Sequence, residues 1–384
     1  MRYFFKYIIR SFRLGDLARF LRGSFYRIFD FLGEKTFFIL RTFHFLSPLE
    51  EFDKKVVKKI LIILLDRIGD VILSTPAIRA VREAFPKAEI HLLVRDYTKD
   101  LWVNNPNINR LLIFKKDSLS KNYDLAIALH PRITQNYLAF RSGAKYRVGY
   151  VGWGGGFFLT HKLKDDRSTR VRHEVESALE VAGAVGCRTE DKRLDISITD
   201  KGERFAEDFF KENNLSSNQT VVAIHPGARQ EYIKWNKEGF ADVADRLIKY
   251  MNAKVILIGS SEEDQLVKDT ASLMTQKPIS AVGLRLTQLV SLIKKCSLFI
   301  GNSTGPMHIA AALDVPVVAI FGAIHPLDSY QEWGPWSEKH IVVSKNLNCP
   351  SCHPTDCKTF ECMKLITVDD VVNAAEELLE DSTA

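Results

Sequence analysis

No uninterrupted apolar run in the 384 residues approaches the 18 or more that a membrane-crossing helix needs. No Walker A sequence is present, which excludes a P-loop. The glycine cluster Gly149-Tyr150-Val151-Gly152-Trp153-Gly154-Gly155-Gly156 contains no G-x-G-x-x-G and opens no clear helix, so a nicotinamide dehydrogenase is poorly supported. No repeat recurs with a 20–50-residue period. Nothing in a chain that is 46% apolar and 26% charged suggests disorder or low complexity. The body also lacks net charge. Of 53 basic and 47 acidic residues, nine and three fall in residues 1–45, leaving 44 of each sign in the remainder. A basic nucleic-acid-binding face on the body is thereby argued against.

The first 45 residues hold that whole charge excess and 11 of the 24 phenylalanines. Arg2, Lys6, Arg10 and Arg13 recur about once per helical turn, with Phe4, Phe5, Tyr7, Ile8, Ile9 and Phe12 on the other faces. No small-residue cleavage site follows an uncharged core, so a secretory signal is not indicated. Two readings fit: a helix lying in a membrane interface, or a helix docked on the protein's own body. The expectation carried forward is an amphipathic membrane-interface segment over 1–50, ending near Ser47-Pro48.

Beyond it, strands and helices alternate, which predicts βαβ units and parallel sheets. Strands are expected at 60–65, 90–94, 111–114 and 125–129, with a helix over 71–84. The pattern breaks around 194–199, and a charged helix follows at 201–213. A second series then has strands at 221–225, 254–258, 298–300 and 317–321. Its helices fall near 237–250, 262–274, 287–294 and 307–313. The division expected is a Rossmann-like unit over 57–200, a second over 201–345, and a cysteine-rich loop with a C-terminal helix over 346–384. Ligands of such sheets bind beyond the C-terminal strand ends.

Four loops follow strands on that side. In Asp66-Arg67-Ile68-Gly69-Asp70, Gly69 allows a tight turn, and Asp70 is either a helix cap or a general base facing the cleft. Arg67 and Gly69 flank it on the acceptor side. In His225-Pro226-Gly227-Ala228, free backbone N–H groups suit a phosphate, and Lys234 is either a cation for a diphosphate or a surface lysine. In Gly259-Ser260-Ser261-Glu262-Glu263, Glu262 and Glu263 either meet ribose hydroxyls or sit in the first turn of a capped helix. In Gly301-Asn302-Ser303-Thr304-Gly305-Pro306-Met307-His308, a helix start offers N–H donors and a positive dipole suited to a pyrophosphate. His308 sits on that helix's first turn.

Taken in order, these loops resemble glycosyltransferase family 9, the ADP-heptose:lipopolysaccharide heptosyltransferases. The likeness covers about 57–375. It rests on Arg67-Ile68-Gly69-Asp70-Val71 with Pro76, Phe85-Pro86, Ser142-Gly143-Ala144 with Arg147-Val148-Gly149, His225-Pro226-Gly227-Ala228, Gly301–His308 and Ala310-Ala311-Ala312. The resemblance implies a GT-B fold, two Rossmann-like domains facing across a cleft, and an inverting transfer that requires no cofactor. It implies an ADP-linked heptose donor and a lipid-linked lipopolysaccharide-core acceptor. The site would then be cytoplasmic, on the inner face of the inner membrane. By position it makes Asp70 the base, puts Ser303, Thr304, Gly305 and His308 in the donor diphosphate loop, and sets Glu262 or Glu263 near the ribose. Two departures stand out. Ile233 occupies a position where relatives commonly have Lys, and Ser303 one where many have Asp. Two rival functions remain at this stage: a sugar-nucleotide 2-epimerase, and a non-enzymatic membrane-bound assembly protein with a vestigial nucleotide site.

Cys187 and Cys296 are isolated and expected to be buried. Cys349, Cys352, Cys357 and Cys362 lie within 14 residues, with His353 beside Cys352. They could hold a structural Zn²⁺, pack as reduced thiols, or pair as disulfides, the last disfavoured in a cytoplasmic enzyme.

Overall fold

The computed structural model describes residues 14–42, 51–216, 218–322, 325, 328–347, 349, 352 and 357–381, with side chains over 24–40 and 42 in the first of these. Positions 1–13, Ser47-Pro48 and His353 lie outside the described residues.

The apolar run at 60–65 becomes the middle of a sheet. β1 (Lys59–Leu64) is covered on both faces, and Ile60 through Leu64 are fully buried, as a continuous apolar strand requires. Around it stand β2 (Glu89–Val94), β3 (Arg110–Ile113), β4 (Leu125–Ala128), β5 (Tyr146–Val151) and β6 (His161–Lys164), in the order β3-β2-β1-β4-β5-β6. A second sheet holds β7 (Val221–His225), β8 (Lys254–Gly259), β9 (Ile279–Val282), β10 (Leu298–Asn302), β11 (Val317–Phe321) and β12 (His340–Ser344), in the order β12-β11-β10-β7-β8-β9. Every pairing is parallel. Each sheet starts in its middle, adds two strands on one side, then three on the other. This is the doubly wound order, twice, and the chain has the α/β GT-B-like fold.

β5, β6, β9 and β12 are strands that the sequence pattern missed. β6 and β12 are edge strands with half-exposed faces, β9 has four residues, and β5 is interrupted by Arg147 and Gly149. None offers the unbroken apolar run that marks a strand buried on both faces. The helix expected at 71–84 is two helices, Ile68–Leu73 and Thr75–Ala84, broken at Ser74. Pro76 has no N–H to continue the first of them and sits in the opening turn of the second.

A 29-residue helix, Leu14–Thr42, lies against the β5–β6 side of the first sheet. Phe29 and Phe37 pack on Phe157, and Phe37 also meets Phe140 and Phe158. Asp30 accepts the Gly156 N–H at 3.0 Å, and Glu34 pairs with Lys162. Tyr26, Phe29, Gly33 and Phe37 thus form the inner stripe, at the spacing of one helix face. Phe25, Ile28, Phe31, Leu32, Phe38 and Ile39 point outward, each more than half exposed. Docking and an outward apolar face coexist. Among the described residues, no helix is long and apolar enough to cross a membrane.

Gly33 permits this docking, since a Cβ there would lie 2.2 Å from the Phe157 ring. Helix propensity alone favours Ala over Gly by about 1 kcal/mol. Packing must win. Gly33→Leu is expected to release the helix, so that trypsin cuts at Arg27 and Lys35 at least about tenfold faster while the two-sheet body stays resistant. Unchanged protection would show that the helix is not held through this contact.

Candidate active site

In a doubly wound sheet, the crevice opens where successive connections leave in opposite directions. Here those points lie between β1 and β4 and between β7 and β10. The two crevices face each other. Helix Ile68–Leu73, which follows β1, packs against helix Gly305–Ala312, which follows β10. The contact is close because two glycines make it. A Cβ on Gly69 would stand 2.6 Å from His308 Cδ2, and one on Gly305 would stand 3.1 Å from Ile68 Cβ.

On the first side, the loop after β1 carries Asp66 and Asp70. Asp66 is buried, with Arg132 Nε donating to Oδ1 at 2.5 Å and Gln135 Nε2 to Oδ2 at 2.5 Å. Asp70 Oδ2 accepts the Arg67 backbone N–H at 3.1 Å, so the capping role exists. The loop after β4 adds His130, also buried. Its Nε2 lies 3.2 Å from Ser74 Oγ, its Nδ1 3.1 Å from Glu174 Oε1. Arg167 donates to the other Glu174 oxygen at 2.8 Å and grips Asp165 with two bonds of 2.9 Å.

Burial pushes the Asp70 carboxyl above its ordinary range, the His130 charge pulls it back, and the Asp66 and Glu174 charges push it further up. Burial works against a charged His130 as well, but Asp66, Glu174 and Asp70 outweigh it and raise the imidazole to about 9. Asp66 and Glu174 also overcome burial. His130 and Arg132 hold the first below the usual carboxylate range, and His130 and Arg167 hold the second there. One ring nitrogen of His130 and one oxygen each of Asp66 and Asp70 lie within 4.8 Å of one another. Among the described residues no other group of three or more His, Cys, Asp or Glu side chains gathers so closely.

On the second side, Asn302 organises the loops. It is fully buried at the end of β10. Its Nδ2 donates to the carbonyls of Pro226 and Gly227, both at 3.1 Å, and its Oδ1 accepts the Trp235 N–H at 3.0 Å. His225 Nδ1 lies 3.1 Å from Thr304 Oγ1 and Nε2 3.3 Å from Glu263 Oε2. The hydrogen bond from His225 holds the Glu263 carboxyl down at about 2, helped by the Ser260 backbone N–H. A Cβ on Gly227 would meet Glu263 Oε1 at 2.0 Å and would displace that carboxylate from beside the turn. His308 is buried with its Nδ1 unpartnered. Burial, with a contribution from His173, drives its imidazole down to about 3, so it offers a neutral ring.

The structure therefore gathers Arg67, Gly69, Asp70, Gly305 and His308 along one seam, with His225, Gly227, Glu263, Ser303 and Thr304 beside it. Glu262 is exposed on the turn after β8. Lys234 has an acidic neighbour of its own. Its Nζ turns back to Glu231 at 3.4 Å and lines a separate cavity of about 520 Å³ with Lys237, Lys364, Phe360 and Met363. The four clustered cysteines are not within common ligating distance, so the zinc expectation gains no support. Cys357 Sγ instead accepts the Phe360 N–H at 3.4 Å, and Cys362 packs toward Gly322. All six thiols are free, so the disulfide alternative falls. Cys187 and Cys296 are buried as expected, their thiols pushed up to about 12 by burial. His130, Arg167 and Glu174 escaped the sequence reading, and Asp66 and Asn302 were read only as members of their loops, without a role. A signal for His130 existed: its loop follows an apolar run that pairs with β1, and so lies at the crevice.

The family model "Glycosyltransferase family 9 (heptosyltransferase)" matches residues 112–362. Lipopolysaccharide heptosyltransferase 3 of Escherichia coli K12 is 29% identical over 345 residues, 81% of this chain and 95% of that protein. The crystal structure of the family 9 glycosyl transferase from Veillonella parvula superposes with a TM-score of 0.75 at 25% identity, covering 87% of this chain and 100% of that one. E. coli ADP-heptose lipopolysaccharide heptosyltransferase II superposes at 0.70 with 22% identity, covering 85% and 100%.

Two outcomes follow from this geometry. Asn302→Ala strands a buried N–H and two carbonyls, each worth about 1–3 kcal/mol when unsatisfied, so thermal melting should fall sharply. A melting point within about 2 °C of wild type would contradict it. Glu332, buried beside Glu174 with one oxygen unpartnered, is pushed by burial up to about 8. Its ordinary value is 4.5, so between these values the folded state holds a proton that the unfolded state releases. Stability from this group is therefore lost as pH rises through that window. Glu332→Gln should raise the melting temperature at pH 8.5 more than at pH 5; an equal effect at both would refute the assignment.

Proposed function

The chain belongs to glycosyltransferase family 9, and on that premise we propose that it moves a heptose from ADP-heptose to a lipopolysaccharide-core acceptor with inversion at the anomeric carbon. The observation carrying this reading is the seam itself. A carboxylate pushed toward proton affinity, Asp70, stands beside Gly69, against which the first turn of helix Gly305–Ala312 packs. Asp70 accepts the proton of the acceptor hydroxyl. The freed oxygen attacks the anomeric carbon, and the bond to the diphosphate breaks with its electron pair leaving on phosphate oxygen. N–H donors at the start of the 305–312 helix stabilise that charge, a preorganised electrostatic contribution. His225, Gly227, Ser303 and Thr304 hold the diphosphate, and Glu262 or Glu263 meets the ribose. Lys234, turned toward Glu231, is left out of this assignment. Heptose and lipopolysaccharide as substrates are supported by the names of the relatives, and ADP by that of the E. coli structural neighbour.

We further propose that the protein works on the cytoplasmic face of the inner membrane. The support is the outward stripe of Phe25, Ile28, Phe31, Leu32, Phe38 and Ile39, flanked by Arg27 and Lys35. An amphipathic helix of that composition inserts at the headgroup level, where a lipid-linked acceptor also lies.

Asp70→Asn keeps size and cap while removing the base. Turnover of ADP-heptose on the lipid acceptor should fall by roughly 10²-fold or more, with ADP affinity by calorimetry nearly unchanged; a near wild-type rate would reduce Asp70 to a helix cap. Deleting residues 1–45 should abolish cosedimentation with anionic vesicles and leave ADP binding intact. Equal vesicle binding by the truncated and full-length chains would end the membrane reading.

A further inference from the structure

His130 stands beside Asp66, Asp70 and Glu174, and the reaction, as described, does not use it. Its two ring nitrogens face two different acceptors. Nδ1 faces a carboxylate oxygen of Glu174, and Nε2 faces Ser74 Oγ, whose own proton goes to the Asp70 carbonyl at 2.8 Å. A ring protonated on both nitrogens donates to Glu174 and to Ser74 and leaves the Ser74 proton on the Asp70 carbonyl; a neutral ring requires that hydroxyl to turn away from the carbonyl and donate to Nε2.

The charges around it give the same answer. The carboxylates are Asp66, Asp70, Glu174 and Asp165. Arg132 is bonded to Asp66, and Arg167 divides itself between Asp165 and Glu174. From the other packed elements come Arg67, exposed on the base's own loop; Arg95, whose Nε is committed to the Leu65 carbonyl at 2.7 Å; and Tyr97, bonded to the Asp66 carbonyl. His173 donates to the Gly334 carbonyl while its Nδ1 accepts the Val175 N–H, a neutral arrangement. His308 is neutral, and Glu332 holds its proton. Asp70 is left with no buried cation but His130.

We propose that His130 is a positioning residue for the base: held as an imidazolium by Glu174 and Ser74, within 4.8 Å of the half-buried Asp70 carboxyl, it keeps that carboxyl ionised so that it can take a proton near neutral pH. The proposal rests on the assignment of Asp70 as base. Glu174 and Arg167 act one step further back, holding the ring beside the carboxylate.

The test is the pH profile of kcat/KM for heptosyl transfer by the full chain. His130→Gln keeps a donor and an acceptor in place but removes the charge. Its acid limb should move up by about one pH unit or more, the worth of a lost adjacent opposite charge, while the alkaline plateau stays within a few-fold of wild type. A lowered plateau with an unmoved acid limb would make His130 structural only and overturn the proposal. Asp70→Asn measured alongside separates the two failures. If that variant stays active, the base assignment fails; if it is inactive and the limb of His130→Gln has not moved, only the His130 role fails. Should His130→Gln not fold, ring ¹⁵N NMR of the wild type decides. The His130 nitrogens should both stay protonated up to about pH 9, and Glu174→Gln should lower that midpoint by at least about one unit. A wild-type ring already titrating near 6.5 would overturn the proposal.

Discussion

Two helix starts touch with almost nothing between them, and the rest of the site depends on that contact. Gly69 admits His308 and Gly305 admits Ile68. A side chain at either glycine would hold the two sheets apart and separate Asp70 from the helix end opposite. Both helices follow central strands, β1 and β10, whose residues are buried apart from Lys59 at the start of β1. The approach is thus fixed by the stiffest part of each half. Burial on the two sides of the seam, together with neighbouring charges, sets the unusual proton affinities there. His308 loses its charge there, Asp70 is pressed to regain a proton, and His130 is the cation that opposes the pressure.

The two halves solve the problem of irregular backbone near a ligand differently. The first uses a run of alternating charges, from Asp165 through Arg167 and Glu174 to His130, and from there to the two aspartates. Such a run stands only while each member is paired, since an unpaired buried charge costs several kcal/mol. The second half uses one neutral amide. Asn302 ties the 226–227 turn and the 235 backbone to the end of β10. It brings no charge, leaving the positive helix end as the electrostatic feature there.

Much of the architecture was legible from unbroken apolar runs, because a strand covered on both faces has no polar alternation to disguise it. The strands that hid were short, lay at edges, or were interrupted, as β5 is by Gly149. Asp70, Thr304, Gly305 and His308 could be read because each sits in a loop directly after such a run. His130 and Glu174 could not be paired from sequence, since 44 residues and two strands separate them and only the sheet order brings them together. The pairing of Lys234 with Glu231, three residues earlier, is a detail that a phosphate-suited loop in the sequence does not convey. The cysteine spacing was equally open, and in the fold Cys357 accepts the Phe360 N–H.

The N-terminal helix is fastened to one half only. Phe29, Phe37, Asp30 and Glu34 all hold residues of the β5–β6 side, at the far edge from β3. The first sheet and the helix's outward stripe therefore share one frame of reference. Any swing of the second sheet about the glycine seam, to admit one small molecule and discharge another, leaves that frame still. The half that carries Asp70 keeps a constant height and tilt over whatever plane the stripe rests on, and only the other half travels.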